Sequence, residues 1–244
     1  MKHRSMVTTV LAGAMALTGC GGSGGGGYGG GSSSTSQMSA PNLTSAPGQA
    51  ALVAYLQTDH DTMLQGMSGG RVYGLQVFNV PNAAATTFNG AAPAYNTTLT
   101  LLITENGRSL GGSTSIDYYL LNPYVPLGRV AFGGSPYAVV TSSTPLANTL
   151  SLGDSGAVDN LTYYHDSTMT TVDANEAVTY SVMANNSATV LLCLNSTISD
   201  VTAQGMTDGM VNGAASDCYA VDSSGNATLV SHTMMFNGMM MTFD

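Results

Sequence analysis

Tyr95-Asn96-Thr97-Thr98-Leu99-Thr100-Leu101-Leu102-Ile103-Thr104, followed by Asn106-Gly107, is the stretch from which the fold is read. Leu99, Leu101 and Ile103 fall on one face and Thr98, Thr100 and Leu102 on the other, the period of two expected of a strand. Asn106-Gly107 supplies the positive-φ pair that a tight hairpin needs. Residues 115–121 then return as a second strand, and Asn122-Pro123, Pro126 and Gly128 close it with a loop.

The same grammar runs outward in both directions. Residues 62–67 and 72–80 are strand-like and joined by Ser68-Gly69-Gly70; residues 137–142 form another short strand. Further on, 161–165, 177–184, 189–199, 218–221, 229–236 and 239–243 are strand-like, with turns at Asn185-Asn186, at 223–226 and at Asn237-Gly238. Residues 199–215 are Gly-rich and irregular. Residues 49–57 (QAALVAYLQ), behind Pro47-Gly48, are the one short helix, near the start. Many short strands at turn-punctuated spacing predict an all-β fold, an antiparallel β-sandwich or barrel. The Ser/Thr/Pro/Gly content of 146–156 predicts a connector between two β-rich modules, 49–145 and 157–244. An internal echo supports that division: 115–121 (SIDYYLL) and 215–221 (ASDCYAV) align, each after a Thr-rich strand and a Gly-rich turn.

The beginning of the chain carries an address. Met1 to Arg4 is a basic head, residues 6–17 are apolar or small, and Leu17-Thr18-Gly19-Cys20 follows; the apolar part is too short to cross a bilayer as a permanent helix. Leu17-Thr18-Gly19-Cys20 resembles the lipobox of bacterial lipoproteins. That resemblance implies a signal peptide over 1–19, a diacylglycerol on the Cys20 thiol and acylation (palmitate or a similar chain) of the new amino terminus. Gly21 stands where the family's inner-membrane retention signal places Asp, so the expected location is the cell envelope, at the outer membrane. An unmodified Cys after an ordinary cleaved signal is the alternative. Residues 20–48, rich in Gly and Ser, then serve as a flexible tether.

Loss of Lys2 and Arg4 takes the net charge from −9 to −11 and leaves Arg71, Arg108 and Arg129 as the cations. A chain this acidic has no electrostatic route to nucleic acid, nor to anionic headgroups. Its membrane attachment is expected through the covalent lipid alone, with no other cofactor, and an envelope protein or a glycan is the expected kind of partner. Cys193 and Cys218, in an oxidising compartment, are expected to pair as a disulfide.

Three sets of residues carry possible chemistry. Gly153-Asp154-Ser155-Gly156 resembles the nucleophile segment of chymotrypsin-like serine peptidases, which implies Ser155 as nucleophile with His60 and Asp117; the same four residues are turn formers. If Asn237-Gly238 turns the last hairpin, Phe236 faces Met239, Met235 faces Met240 and Met234 faces Met241. His232, Met234, Met239 and Met241 then share a face whose thioethers and imidazole suit Cu(I), or simply fill a core. Asp59-His60-Asp61, or His165-Asp166, could hold a harder cation, but alternation sends sequence neighbours to opposite faces, so neither cluster forms a site by itself. Residues 173–176, and Asp222 with Asn226, read as acidic turns lacking calcium-loop spacing. Tyr118-Tyr119 and Tyr163-Tyr164 each place one ring inward and one outward. The leading expectation is a lipid-anchored, non-enzymatic envelope protein that binds a partner or acts structurally; a serine hydrolase and a Cu(I)-binding protein are the alternatives.

Overall fold

The computed structural model describes residues 43–236 and 239–244. Residues 1–42, with the signal, Cys20 and most of the tether, lie outside the described residues, as does the Asn237-Gly238 turn. In chain order the elements are β1 (Ser45–Pro47), α1 (Gln49–Leu56), β2 (His60–Ser68), β3 (Arg71–Phe88), β4 (Ala91–Glu105), β5 (Arg108–Leu121), β6 (Tyr124–Ala131) and β7 (Tyr137–Ser143). There follow β8 (Thr149–Ser151), β9 (Ser155–Tyr164), β10 (Val172–Ala184), β11 (Thr189–Ser199), α2 (Ala203–Thr207), β12 (Gly213–Asp222), β13 (Ala227–Phe236) and β14 (Met239–Phe243).

Twelve strands form one antiparallel sheet in which every neighbour is a sequence neighbour, apart from the step from β7 to β9 over β8. The sheet curls until its two edges meet: Gln65 on β2 and Asp244 beyond β14 exchange both backbone hydrogen bonds, at 3.0 and 2.9 Å. The result is a nearly closed up-and-down barrel, which protects the edges of an otherwise open sheet. The all-β expectation is met, and the sandwich alternative gives way to the barrel.

Alternation decides what lies inside. Leu75, Val77 and Asn79 on β3, Ile103 on β4 and Leu192 on β11 are buried, whereas the alternating outward positions mix hydroxyl pairs, such as Thr100 against Thr114 at 3.0 Å, with exposed apolar side chains such as Met63, Met67 and Leu102. One mouth is filled by β1, α1 and β8. Ser45–Pro47 pairs with Thr149–Ser151, and Ala46, Ala51, Leu52, Tyr55, Leu146 and Leu150 join the core cluster of the barrel. Gly48 is required there: a Cβ would lie 2.1 Å from the carbonyl oxygen of Ala147.

Several expectations are corrected. The tether, read as reaching residue 48, gives way by Leu43, whose N–H donates to Asn186 O at 3.1 Å. The connector 146–156 contains β8 and the start of β9, and the two modules are not separate domains but halves of one barrel, β2–β7 and β9–β14. Residues 122–128, read as a closing loop, carry β6; Pro126 is accommodated where the β5–β6 register shifts, a position that asks nothing of a missing N–H. Strand β3 runs to Phe88 rather than ending at Val80. The far end of this β3–β4 hairpin lies on the outside of the barrel, where the Phe88 ring stacks on Tyr118 (4.4 Å) and Tyr137 (5.2 Å). Gly128 makes that contact possible, because a Cβ there would lie 3.0 Å from the Phe88 ring and 2.1 Å from Ala138 O.

The echo noted in the sequence marks equivalent places. Strands β5 and β12 are each the fourth of six in their half. Asp117 faces Arg129 on β6, and the register shifts immediately after Tyr118; Asp217 faces His232 on β13, and the register shifts immediately after Cys218. Tyr119 and Tyr219 follow the shifts and are both buried. Each half thus contributes an Asp, a basic partner on the next strand, a bulge and a buried tyrosine.

Candidate ligand-binding lumen

Between the plugged mouth and the packed residues Ala138, Tyr163, Ala174, Ile198 and Met210 toward the other rim, the barrel encloses a cavity of about 220 Å³. Leu99, Leu101, Val140, Val158, Val178 and Leu194 supply apolar wall. The plug is fixed to that wall by Asn79, whose Nδ2 donates to the carbonyl oxygens of Thr58 (2.9 Å), Tyr55 (3.3 Å) and Leu56 (3.4 Å) and whose Oδ1 accepts from Thr97 Oγ1 at 3.0 Å. One buried amide thereby satisfies the orphan carbonyls at the end of α1. No sequence signal pointed to Asn79, since an Asn in a strand has no pattern of its own.

The cavity also holds a polar belt. Arg129 Nε lies 3.4 Å from Asp117 Oδ1, and its Nη1 reaches across from β6 to Glu176 Oε2 on β10, 3.9 Å away. Glu176 in turn accepts from the Tyr163 hydroxyl at 2.6 Å. On the other side, His232 Nδ1 sits 2.6 Å from Asp217 Oδ1. Asp159 completes the lining carboxylates. Four carboxylates therefore converge on one guanidinium and one imidazole.

Electrostatics follow from this imbalance. Burial pushes the Asp117 and Asp159 carboxyls up, with Arg129 opposing the shift at both. The Asp117 carboxylate beside it, more than any other group, holds the Arg129 guanidinium well above its ordinary value. Burial, reinforced by Asp217, raises the Tyr55 phenol to about 12. Polar capacity is left over: Asp117 Oδ1, Asp159 Oδ1 and His232 Nε2 are buried without a hydrogen-bond partner. Such atoms are costly unless something bonds them.

The residues singled out in the sequence fall in different places. Ser155 is exposed at the start of β9, six strands from His60 on β2 in either direction around the barrel, on the opposite wall. Twelve strands at about 4.8 Å spacing give a diameter of at least about 18 Å before strand tilt widens it. His60 stacks on Tyr55 at 4.0 Å and Asp117 faces Arg129, so the three serine-hydrolase residues are not brought together. The last hairpin has the register expected for it, Phe236 to Met239 through Met234 to Met241. Met234 and Met241 face each other and are packed in the core, His232 on the same face is engaged by Asp217, and Met239 is half exposed. Cys193 and Cys218 form the expected disulfide across β11 and β12. Asp166 closes a local turn, accepting from the Thr168 N–H and hydroxyl. Asp222 does the same with Ser224 and Asn226, which draw its carboxyl down to about 2.

The lumen is a preformed concavity, mostly apolar, with a few convergent polar groups. The chain matches no protein-family model, no curated protein and no solved structure.

Proposed function

We propose that the protein is a lipid-anchored, non-enzymatic binding protein of the cell envelope whose barrel takes up a small, largely apolar molecule carrying a cationic or hydrogen-bond-donating group. The observation that carries this reading is the belt: four carboxylates share one guanidinium and one imidazole on a largely apolar cavity, and Asp159 Oδ1 is buried there with no hydrogen-bond partner. A donor on the ligand satisfies that oxygen, and the surplus of carboxylates disfavours an anion. Cys20 supplies the anchor and the Gly/Ser run the reach.

Two fluorophores of one skeleton test the lumen. Neutral N-phenyl-1-naphthylamine, which keeps an N–H donor, is expected to bind once per chain and at least tenfold more tightly than its sulfonated analogue 8-anilino-1-naphthalenesulfonate. Val178→Trp, which fills the cavity, is expected to remove the signal; equal binding of both dyes, or an unaffected Trp variant, would refute the assignment. The anchor is checked separately: Cys20→Ser is expected to leave washed membranes, and its continued sedimentation with them would contradict lipidation.

A further inference from the structure

At the rim opposite the plug, the β9–β10 and β11–β12 connections approach each other. His165 follows the end of β9, Asp173 is the second residue of β10, and Asp208 lies just past α2. One donor atom from each falls within 4.8 Å of the others. His165 Nδ1 and Asp208 Oδ2 are 2.7 Å apart. Asp173 is completely buried, and neither of its carboxylate oxygens has a hydrogen-bond partner. Two carboxylates and an imidazole therefore converge, and one carboxylate is sealed from water with no donor of its own.

The backbone is built to bring them there. Thr202 caps α2 by accepting from Gly205 N (3.1 Å), and its own N–H and hydroxyl donate to Asp173 O (2.8 Å) and Val172 O (3.0 Å). Gly205 has no Cβ because one would lie 2.4 Å from Asp173 O. The short helix is thus pressed onto the strand that carries Asp173, and Asp208 is delivered to it. Gln204 Nε2 contacts both oxygens of Asp208, at 3.3 and 3.2 Å, the outer contact that orients a ligating carboxylate.

We infer that His165, Asp173 and Asp208 form a binding site for a divalent transition-metal ion, Zn²⁺ by the chemistry of its donors. One imidazole nitrogen and two carboxylate oxygens are three of the four ligands of an open tetrahedral site, whereas calcium takes oxygen alone and Cu(I) prefers sulfur. Zinc bonds of about 2.0–2.2 Å set tetrahedral donors about 3.3 Å apart, so the 2.7 Å pair opens by roughly half an ångström as Asp173 draws in. His165 is 45% exposed at its side chain, which leaves the fourth position facing solvent. The cation replaces the missing donor of Asp173 and removes the repulsion between Asp173 and Asp208, the two contributions that burial of an unpaired carboxylate demands. The competing occupant is a proton shared by the two carboxylates; burial, then Asp208, raises the Asp173 carboxyl to about 6 when no cation is present.

The test is a Zn²⁺ titration of the full-length chain in detergent after chelator treatment, read by competition with a chromophoric chelator. One Zn²⁺ per chain is expected, with affinity reduced at least tenfold in Asp173→Asn and in His165→Gln and unchanged in Asp166→Asn. Chelator is expected to lower the thermal midpoint of the wild type and not that of Asp173→Asn. Co²⁺ is expected to give visible absorption that His165→Gln, a change at an exposed residue, abolishes. Absence of stoichiometric binding, or equal affinity in wild type and His165→Gln, overturns the site. An Asp173→Asn protein more stable than wild type with or without zinc overturns it in favour of the shared proton.

Discussion

The two halves of the barrel place the same device at the same position and brace it differently. Asp117 faces Arg129 and Asp217 faces His232, each pair followed by a bulge and a buried tyrosine. In the first half, however, the basic partner is held by two carboxylates, with Glu176 only 1% exposed at its side chain. In the second, the imidazole is buried while Asp217 keeps 38% of its side-chain exposure. The outer supports differ too. Alongside the echoed strands, Cys193 faces Cys218 in the second half where Asn96 faces Tyr118 in the first. The second half is joined by a disulfide; in the first, Tyr118 is covered by the overhanging Phe88 ring. The two six-strand halves therefore match in an inward Asp–base pair while their outward reinforcement differs, covalent in one and aromatic in the other.

The largest effect expected from this asymmetry is at the disulfide. Replacing Cys193 and Cys218 by Ser is expected to cost about 3.5 kcal/mol in denaturant unfolding, the chain-entropy contribution of a loop this long. A loss well under about 1 kcal/mol would show that the second half does not rely on it.

The two polar pairs give the finer comparison. Arg129→Met leaves Asp117 and the buried Glu176 without their cation, an expected cost of about 3 kcal/mol. His232→Leu removes a partner from an Asp217 that water still reaches, an expected cost of about 1 kcal/mol. Equal losses in the two variants would break the claimed inequality of the halves, and a larger loss at His232 would reverse it.

The sequence displayed one end of this comparison and hid the other. The echo was visible because Asp117 and Asp217, and Tyr119 and Tyr219, keep their spacing. Arg129 and His232 were not recognisable as counterparts, because they share neither residue type nor local context and are matched only through strand pairing. Strand β6 was missed for a related reason: Pro126 and Gly128 are loop residues by local preference, and only a register shift makes room for them. The same limit applied at the rim. His165 was noticed beside Asp166, which closes a turn, whereas its spatial partners Asp173 and Asp208 lie on other elements and come together only when α2 packs against β10.

By itself, the sequence determined what depends on neighbours along the chain: alternation in β4, the tight turn at Asn106-Gly107, the helix behind Pro47-Gly48, and the all-β class, together with an expected anchor at Cys20. Tertiary structure decided what depends on closure. That includes the choice of barrel over sandwich, made at the Gln65–Asp244 seam, and the union of two apparent modules into one wall. It also includes the gathering of Asp117, Arg129, Glu176 and Tyr163 around a cavity. The physical reason is one of range. Period and turn chemistry act over a few residues, whereas the partners of a buried charge are chosen by strand order, register and desolvation across the whole sheet.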